Sequence, residues 1–178
     1  RRLNGLPGHP DIHTPGIVTN TGSLGMGVSK AKGMIFADRL KKRKKNYYVL
    51  TGDGELQEGQ FWESLISAKN FAMGELTIII DHNKLQATGS ITETISDISL
   101  ANAFAGFKWN VKEIDGHDHT SIKSALDMLP RNGKPNVLIC HTIKGKGVSF
   151  MENDNNWHYR APNKEELKAA LVELRLNA

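Results

Sequence analysis

Apolar positions along the chain switch between helical spacing and short, nearly continuous runs. Residues 22–45 carry Met26, Ala31, Met34, Ile35 and Leu40 at helical intervals with cations gathered at the end, which predicts a helix. Residues 47–51 read as a strand. Residues 58–73 predict a second helix with Phe61, Leu65, Ala68 and Ala72 on one face, and Gly74 is expected to stop it. Residues 76–80 form a largely apolar run, the mark of a strand buried on both faces. The remaining pattern predicts a short helix over 97–105, a strand over 109–114, a helix over 120–129 ended by Pro130, a buried strand over 137–142, and an amphipathic helix over 165–174. Trp62, Phe104 and Trp109 are expected in the core. The first twenty residues, rich in Gly and Pro, read as loop.

Strands alternating with helices predict an α/β fold, a parallel sheet with helices on both faces. In such sheets ligands bind beyond the C-terminal ends of the strands. The 178 residues suit one domain, 1–178, long enough to bury a core.

Composition changes this picture little. The apolar share is 39%, the charged share 24% and the net charge +4. Much of that charge sits in Lys41-Lys42-Arg43-Lys44-Lys45, which reads as a solvated helix end suited to the helix dipole, not as a nucleic-acid site. No apolar stretch approaches the ~20 residues that cross a bilayer, so no membrane role is expected. One cysteine, Cys140, lies in an apolar run, which excludes an internal disulfide and points to a cytoplasmic setting. The chain opens on Arg1 instead of Met, so the N-terminal part is expected to be missing.

Chemistry-bearing residues fall where two strands end. Gly52-Asp53-Gly54 follows the first apolar run, and Asp81-His82-Asn83 follows the next. Asn83 lies thirty residues after Asp53, the length of one strand–helix–strand unit. Neighbouring parallel strands lie ~4.8 Å apart, so a carboxylate and a carboxamide at their tips can meet. Both offer hard oxygens, which suits Mg²⁺ carrying a diphosphate, and the glycines let backbone approach a ligand. A lone Gly-Asp-Gly is an ordinary turn signal; the spacing to Asn83 is what strengthens it.

Three other features have plainer readings. His117 and His119 are separated by one residue, which suits a turn and a helix cap at Asp118 or Thr120 better than a metal site. GSLGMG lacks the glycine order of a dinucleotide finger. Lys144 and Lys146, interleaved with Gly145 and Gly147, fit either phosphate contact or a flexible loop.

GDGELQEG followed by IIIDHNKLQ resembles the thiamine diphosphate motif of the transketolase family. GLPGHPDIHTPGIVTNTGSLGMG and TIKGKGVSFMENDNNWHYRAP are similar to two further family segments, in the same order, so the resemblance covers almost the whole chain. It implies a thiamine-diphosphate-binding domain in which Asp53 and Asn83 bind Mg²⁺ by side chain and Leu85 by its carbonyl. Gly22, Ser23 and Leu24 would form the loop over the cofactor, with Gly52, Gly54, Glu55, Asn83 and His158 beside it. His9 and His158 would serve as the catalytic histidines, and Glu58 would face its symmetry mate across a dimer interface. Met26 and Tyr159 depart from the family pattern, which has Gln and Gly there.

The resemblance implies a transketolase, passing a two-carbon ketol unit from a ketose phosphate to an aldose. The family's activating glutamate belongs to a pyrimidine-binding domain, and the chain stops at Ala178. It is therefore expected to be the N-terminal subunit of a split transketolase. Its partner would be a C-terminal subunit carrying the pyrimidine-binding domain, in an assembly of two of each chain. Alternatives are an enzyme for an unusual sugar, a relative of 1-deoxyxylulose phosphate synthase, or a scaffold without catalysis.

Overall fold

The computed structural model describes residues 2–3, 6–7, 9–87, 89–91 and 98–176. The chain opens with a small antiparallel ladder, β1 (Arg2–Leu3) with β2 (Leu6–Pro7). Then follow α1 (Gly27–Leu40), β3 (Tyr47–Gly52), a 3-10 turn (Gly54–Gln57), α2 (Gly59–Asn70) and β4 (Leu76–His82). A short hairpin, β5 (Leu85–Gln86) and β6 (Gly89–Ser90), leads to α3 (Leu100–Gly106), whose N-cap Ser99 accepts from Asn102 N. The start expected for that helix, at Asp97, lies outside the described residues. The chain continues through β7 (Asn110–Asp115), α4 (His119–Asp127), β8 (Asn136–His141), a 3-10 turn (Asn155–His158) and α5 (Lys164–Leu176).

The main sheet has four parallel strands in the order β3-β4-β8-β7. The chain passes from β4 to the outer strand β7 and returns to fill the gap with β8. One face carries Ile78 and Ile80 of β4 with Val137 and Ile139 of β8, and it packs under α1, α2 and α3. The intervening residues point the other way. There Leu138 and Cys140 meet Ala125 of α4. That second face is open over β3, where Tyr48 and Leu50 are 51% and 75% exposed.

Phe61, Leu65, Phe104, Leu76 and the β4 isoleucines at 78 and 80 are buried, each worth ~1.5–3 kcal/mol over exposure. Phe104 stands edge-on to both Phe61 and Trp109, at 6.1 and 5.9 Å between centroids. Both core indoles find acceptors: Trp62 Nε1 donates to Leu56 O at 2.6 Å and Trp109 Nε1 to Leu65 O at 3.3 Å. The structure thus buries Trp109 and Phe104 and half-buries Trp62, in line with their patterning.

Two boundaries differ from the sequence pattern. Residues 22–26 are not helical, because Gly22 and Gly25 take left-handed backbone (φ 128 and 76) that a helix excludes. Helix α2 stops through Ala72 (φ 48), whose N–H reaches Lys69 O while Met73 N reaches Ala68 O. That is a Schellman closure built on alanine. Gly74 serves a different purpose: a Cβ there would stand 3.1 Å from the Gly133 backbone.

The basic run 41–45 is a turn wrapped around a carboxylate. Asp38, its side chain 5% exposed, accepts from Tyr47 Oη at 2.6 Å and Arg43 Nε at 2.7 Å, with Lys45 Nζ at 3.7 Å. The Tyr47 bond first, then the Arg43 bond, hold the Asp38 carboxyl below its ordinary 3.8. A depressed folded value stabilises the fold above 3.8 and loses that contribution as pH falls through the lower folded value. Asp38→Asn is therefore expected to lower stability at neutral pH and to flatten the acid limb of the stability curve. Urea midpoints from neutral pH to about pH 2 check this.

Candidate functional site

Parallel strands all end on one edge, and the residues just beyond them form the candidate site. Gly52 of β3 stands opposite Asp81 of β4, and Asp53 N donates to Asp81 O at 3.2 Å. The register thus sets Asp53 beside His82 and next to Asn83. Asp53 Oδ2 accepts from Lys84 N at 2.6 Å and lies 3.1 Å from His82 Nδ1. Its other oxygen, Oδ1, is buried with no hydrogen-bond partner.

That orphaned oxygen is the informative feature. A buried carboxylate oxygen left unserved is costly, and a hard cation at that atom would remove the cost. Asn83, the residue just past β4, carries the second candidate oxygen. Its Oδ1 accepts from Leu85 N at 3.0 Å, and its amide donates to Asp81 Oδ2 at 3.2 Å, so the side chain is fixed. Leu85 opens the β5–β6 hairpin directly after. Among the described residues no cluster of three His, Cys, Asp or Glu could hold a metal. The ligand set expected from sequence has one carboxylate, one carboxamide and one carbonyl, so that absence is compatible with it.

The two glycines around Asp53 differ. A Cβ on Gly54 would come within 3.0 Å of Gln86 Cβ, so the turn packs tightly on β5. A Cβ on Gly52 would meet nothing within 4 Å, so neighbouring protein atoms do not demand that glycine. The space over it is open to a ligand.

The 22–26 loop is tied to the same corner. Gly25 N donates to Glu55 Oε1 at 2.8 Å, and a Cβ on Gly25 would stand 2.7 Å from Glu58 Cβ. Glu55 thus positions the loop through its backbone. Ser23 and Leu24 are exposed on it. The His9 ring packs against Gly22, 3.6 Å from where its Cβ would be. Glu58 is exposed at the start of α2.

His158 reaches this edge from the far end of the chain. Its 3-10 turn is anchored by Asn155 Nδ2 donating to Ala87 O at 3.0 Å, beside the β5–β6 hairpin, and by Trp157 Nε1 donating to Phe150 O at 3.0 Å. Lys144 Nζ lies 3.5 Å from His158 Nδ1. The Lys144 loop is a set of tight turns, with Gly145 at φ +77 and Asn153 N donating to Lys144 O at 2.9 Å. Lys146 turns away to Glu152 at 3.7 Å. So of the two lysines, Lys144 faces the histidine.

The structure brings His9 to the Gly22 loop and gathers Asp53, Gly54, Glu55, Asn83 and Leu85 at one corner. Sequence reasoning missed His82, although it sits inside the Asp81-His82-Asn83 motif; its partner becomes visible only from the strand register. His82 also stands edge-on to His141, which pairs with Glu113 at 2.8 Å. His117 and His119 belong to a turn: His117 Nε2 accepts from Ile143 N at 2.7 Å, and Asp118 caps α4. Burial first, then the Asp81 carboxylate, push the Cys140 thiol up, which keeps it a packing residue.

Comparison with known families decides the relationship. Residues 2–177 match the family described as transketolase, thiamine diphosphate binding domain. The chain belongs to this transketolase family. It is 42% identical over 171 residues to one of the subunits of the apulose-4-phosphate transketolase of Actinobacillus succinogenes, covering 96% of this chain and 62% of that relative. It is 39% identical over 171 residues to a 6-deoxy-6-sulfo-D-fructose transketolase subunit of a Clostridium species, covering 95% of this chain and 62% of the relative. A crystal structure of transketolase from Campylobacter jejuni superposes with a TM-score of 0.86 at 29% identity, covering 95% of this chain and 28% of that one. The chain therefore spans less than two thirds of these relatives. The transketolase relationship confirms the expected fold, an α/β domain with a parallel sheet between helices. Among the described residues no helix is long and apolar enough to cross a membrane.

Proposed function

We propose that this chain is the cofactor-holding, N-terminal subunit of a thiamine-diphosphate-dependent transketolase, acting with a partner subunit that carries the pyrimidine-binding domain. The observation that carries the reading is the buried, unpartnered Asp53 Oδ1 just past β3, with the Asn83 side chain fixed just past the neighbouring strand β4. Asp53, Asn83 and the Leu85 carbonyl would hold Mg²⁺, and the metal would anchor the diphosphate over Gly52 and Gly54. Thiamine diphosphate, when bound, supplies the carbon acid that accepts and releases the ketol unit.

The chain's own residues do the rest. Glu55 fixes the loop of Gly22, Ser23 and Leu24 through Gly25 N, so that backbone groups there can meet the cofactor's pyrimidine. His9 and His158, both exposed at the strand ends, would orient substrate hydroxyls and move protons near neutral pH. The transketolase relatives named for apulose-4-phosphate and for a sulfonated fructose support an anionic sugar as the substrate class. Both relatives are named as subunits of their enzymes, which supports a second chain, and we infer an assembly of two of each. A single buried cysteine fits a cytoplasmic location.

Ketol transfer tests this directly. The chain mixed with its partner, thiamine diphosphate and Mg²⁺ is expected to move a two-carbon unit from a ketose phosphate to an aldose, and either chain alone is not. Turnover by the chain alone would overturn the split-enzyme reading. Glu58→Ala should weaken self-association, read by sedimentation equilibrium, more than it weakens cofactor binding. An effect on cofactor affinity alone would remove Glu58 from the interface.

A further inference from the structure

Strand β4 runs out through Asp81 and His82 into Asn83. Successive side chains of a strand point to opposite sides, and here each supporting residue holds a different neighbour. Asp81 serves Asn83: its Oδ2 accepts from Asn83 Nδ2 at 3.2 Å, and its Oδ1 accepts from Thr142 Oγ1. His82 serves Asp53. Its Nδ1 lies 3.1 Å from Asp53 Oδ2, and a carboxylate only accepts, so Nδ1 carries the proton between them.

The effect on Asp53 is one-sided. Oδ2 takes two donors, His82 Nδ1 and Lys84 N, while the buried Oδ1 takes none. The side chain is only 2% exposed, so solvent does little for the unserved oxygen. Two donors on one oxygen fix the rotation of the carboxylate. The His82 ring is itself held. It lies in register with His141 of β8, whose imidazole stands edge-on to it with centroids 5.3 Å apart. His141 Nε2 in turn meets Glu113 Oε2 of β7 at 2.8 Å. Asp53, His82, His141 and Glu113 thus form a row across the strand ends, in sheet order.

Resting on the transketolase reading, we propose that His82 is a positioning residue for the divalent cation: its Nδ1–H bond to Asp53 Oδ2 holds the carboxylate so that Oδ1 alone is offered, as one charged and preoriented oxygen. Mg²⁺ demands near-ideal octahedral geometry and takes only one or two carboxylates. A carboxylate already fixed in rotation has less freedom to lose on binding than a swinging one. Groups that hydrogen-bond a metal's ligands are typically worth about ten- to a hundredfold in affinity. The imidazole suits this task, because its donor sits on a rigid ring and points in one direction.

Mn²⁺ tests this without turnover, because it takes the same octahedral oxygen set and its free ion is counted by electron paramagnetic resonance. The assembled enzyme, this chain with its partner subunit and thiamine diphosphate, is titrated with Mn²⁺. His82→Leu is expected to weaken Mn²⁺ binding about tenfold or more. His82→Asn, whose amide nitrogen falls at the place of Nδ1, should recover most of that affinity. His82→Gln, whose amide reaches the place of Nε2 instead, should not. A role in bulk or polarity alone would not separate the two amides. They also carry the test if His82→Leu fails to fold, which thermal unfolding without metal reads. His82→Asn no tighter than His82→Gln, or His82→Leu within twofold of wild type, would overturn the inference and leave the transketolase reading standing. Wild-type enzyme that takes up no Mn²⁺ with thiamine diphosphate would overturn that reading, and the inference with it.

Discussion

Asp53→Ala is expected to lose magnesium-dependent retention of thiamine diphosphate by about a hundredfold or more, since substitutions that merely support a metal ligand already cost 10–100-fold. The physical reason is local. Asp53 is the one carboxylate in the proposed ligand set, and its Oδ1 is buried without a protein partner. A metal there would neutralise a charge the fold leaves uncompensated. The fold itself should tolerate the change, because removing that oxygen also removes its desolvation cost; the losses to the fold are the bond from Lys84 N and the His82 Nδ1 contact at 3.1 Å. Asp53→Asn separates shape from charge: it keeps an acceptor for Lys84 N but not the negative charge, and should fail nearly as badly. Calorimetric titration with circular dichroism as the folding control reads both variants. Near-normal affinity in Asp53→Asn would show that charge at this strand end does not hold the metal.

Gly145→Ala is expected to cost about 2–5 kcal/mol of stability, from roughly 1–2 for left-handed backbone plus 1–3 for overpacking. Gly145 has φ +77, and a Cβ would stand 2.4 Å from Met151 O, a main-chain atom that cannot swing aside. The turn it closes carries Lys144 to His158, so loss of activity should accompany the loss of stability. Thermal unfolding and steady-state kinetics check the two together. By contrast Gly33→Ala, where a Cβ meets nothing within 4 Å in the middle of α1, should stabilise slightly. An equal effect at both positions would mean that glycine content, and not the closed turn, governs stability.

The parallel sheet was legible because its strands are short apolar runs between amphipathic helices. Residues 47–51, 76–80 and 137–142 all lie on observed strands to within two residues. That Asp53 and Asn83 both fall just past strands on one edge was legible too, since thirty residues span one strand–helix–strand unit and neighbouring parallel strands end together. What sequence could not carry is register and sharp local geometry. His82 meets Asp53 only because Gly52 aligns with Asp81. The β5–β6 hairpin and the turn over Asn155–His158 are too short and polar to announce themselves. Residues 22–26 mimic helical spacing, but Gly22 and Gly25 bend them back toward Glu55 and Glu58. Gly74 has the composition of a helix stop, yet Ala72 takes that role, because the neighbouring Gly133 backbone needs the room at 74.

The most direct test of the central claim is titration of thiamine diphosphate into the chain with and without Mg²⁺, alone and with its partner subunit. The account predicts tight binding only when Mg²⁺ and the partner are both present. Binding that ignores Mg²⁺, or no binding under any condition, would contradict it.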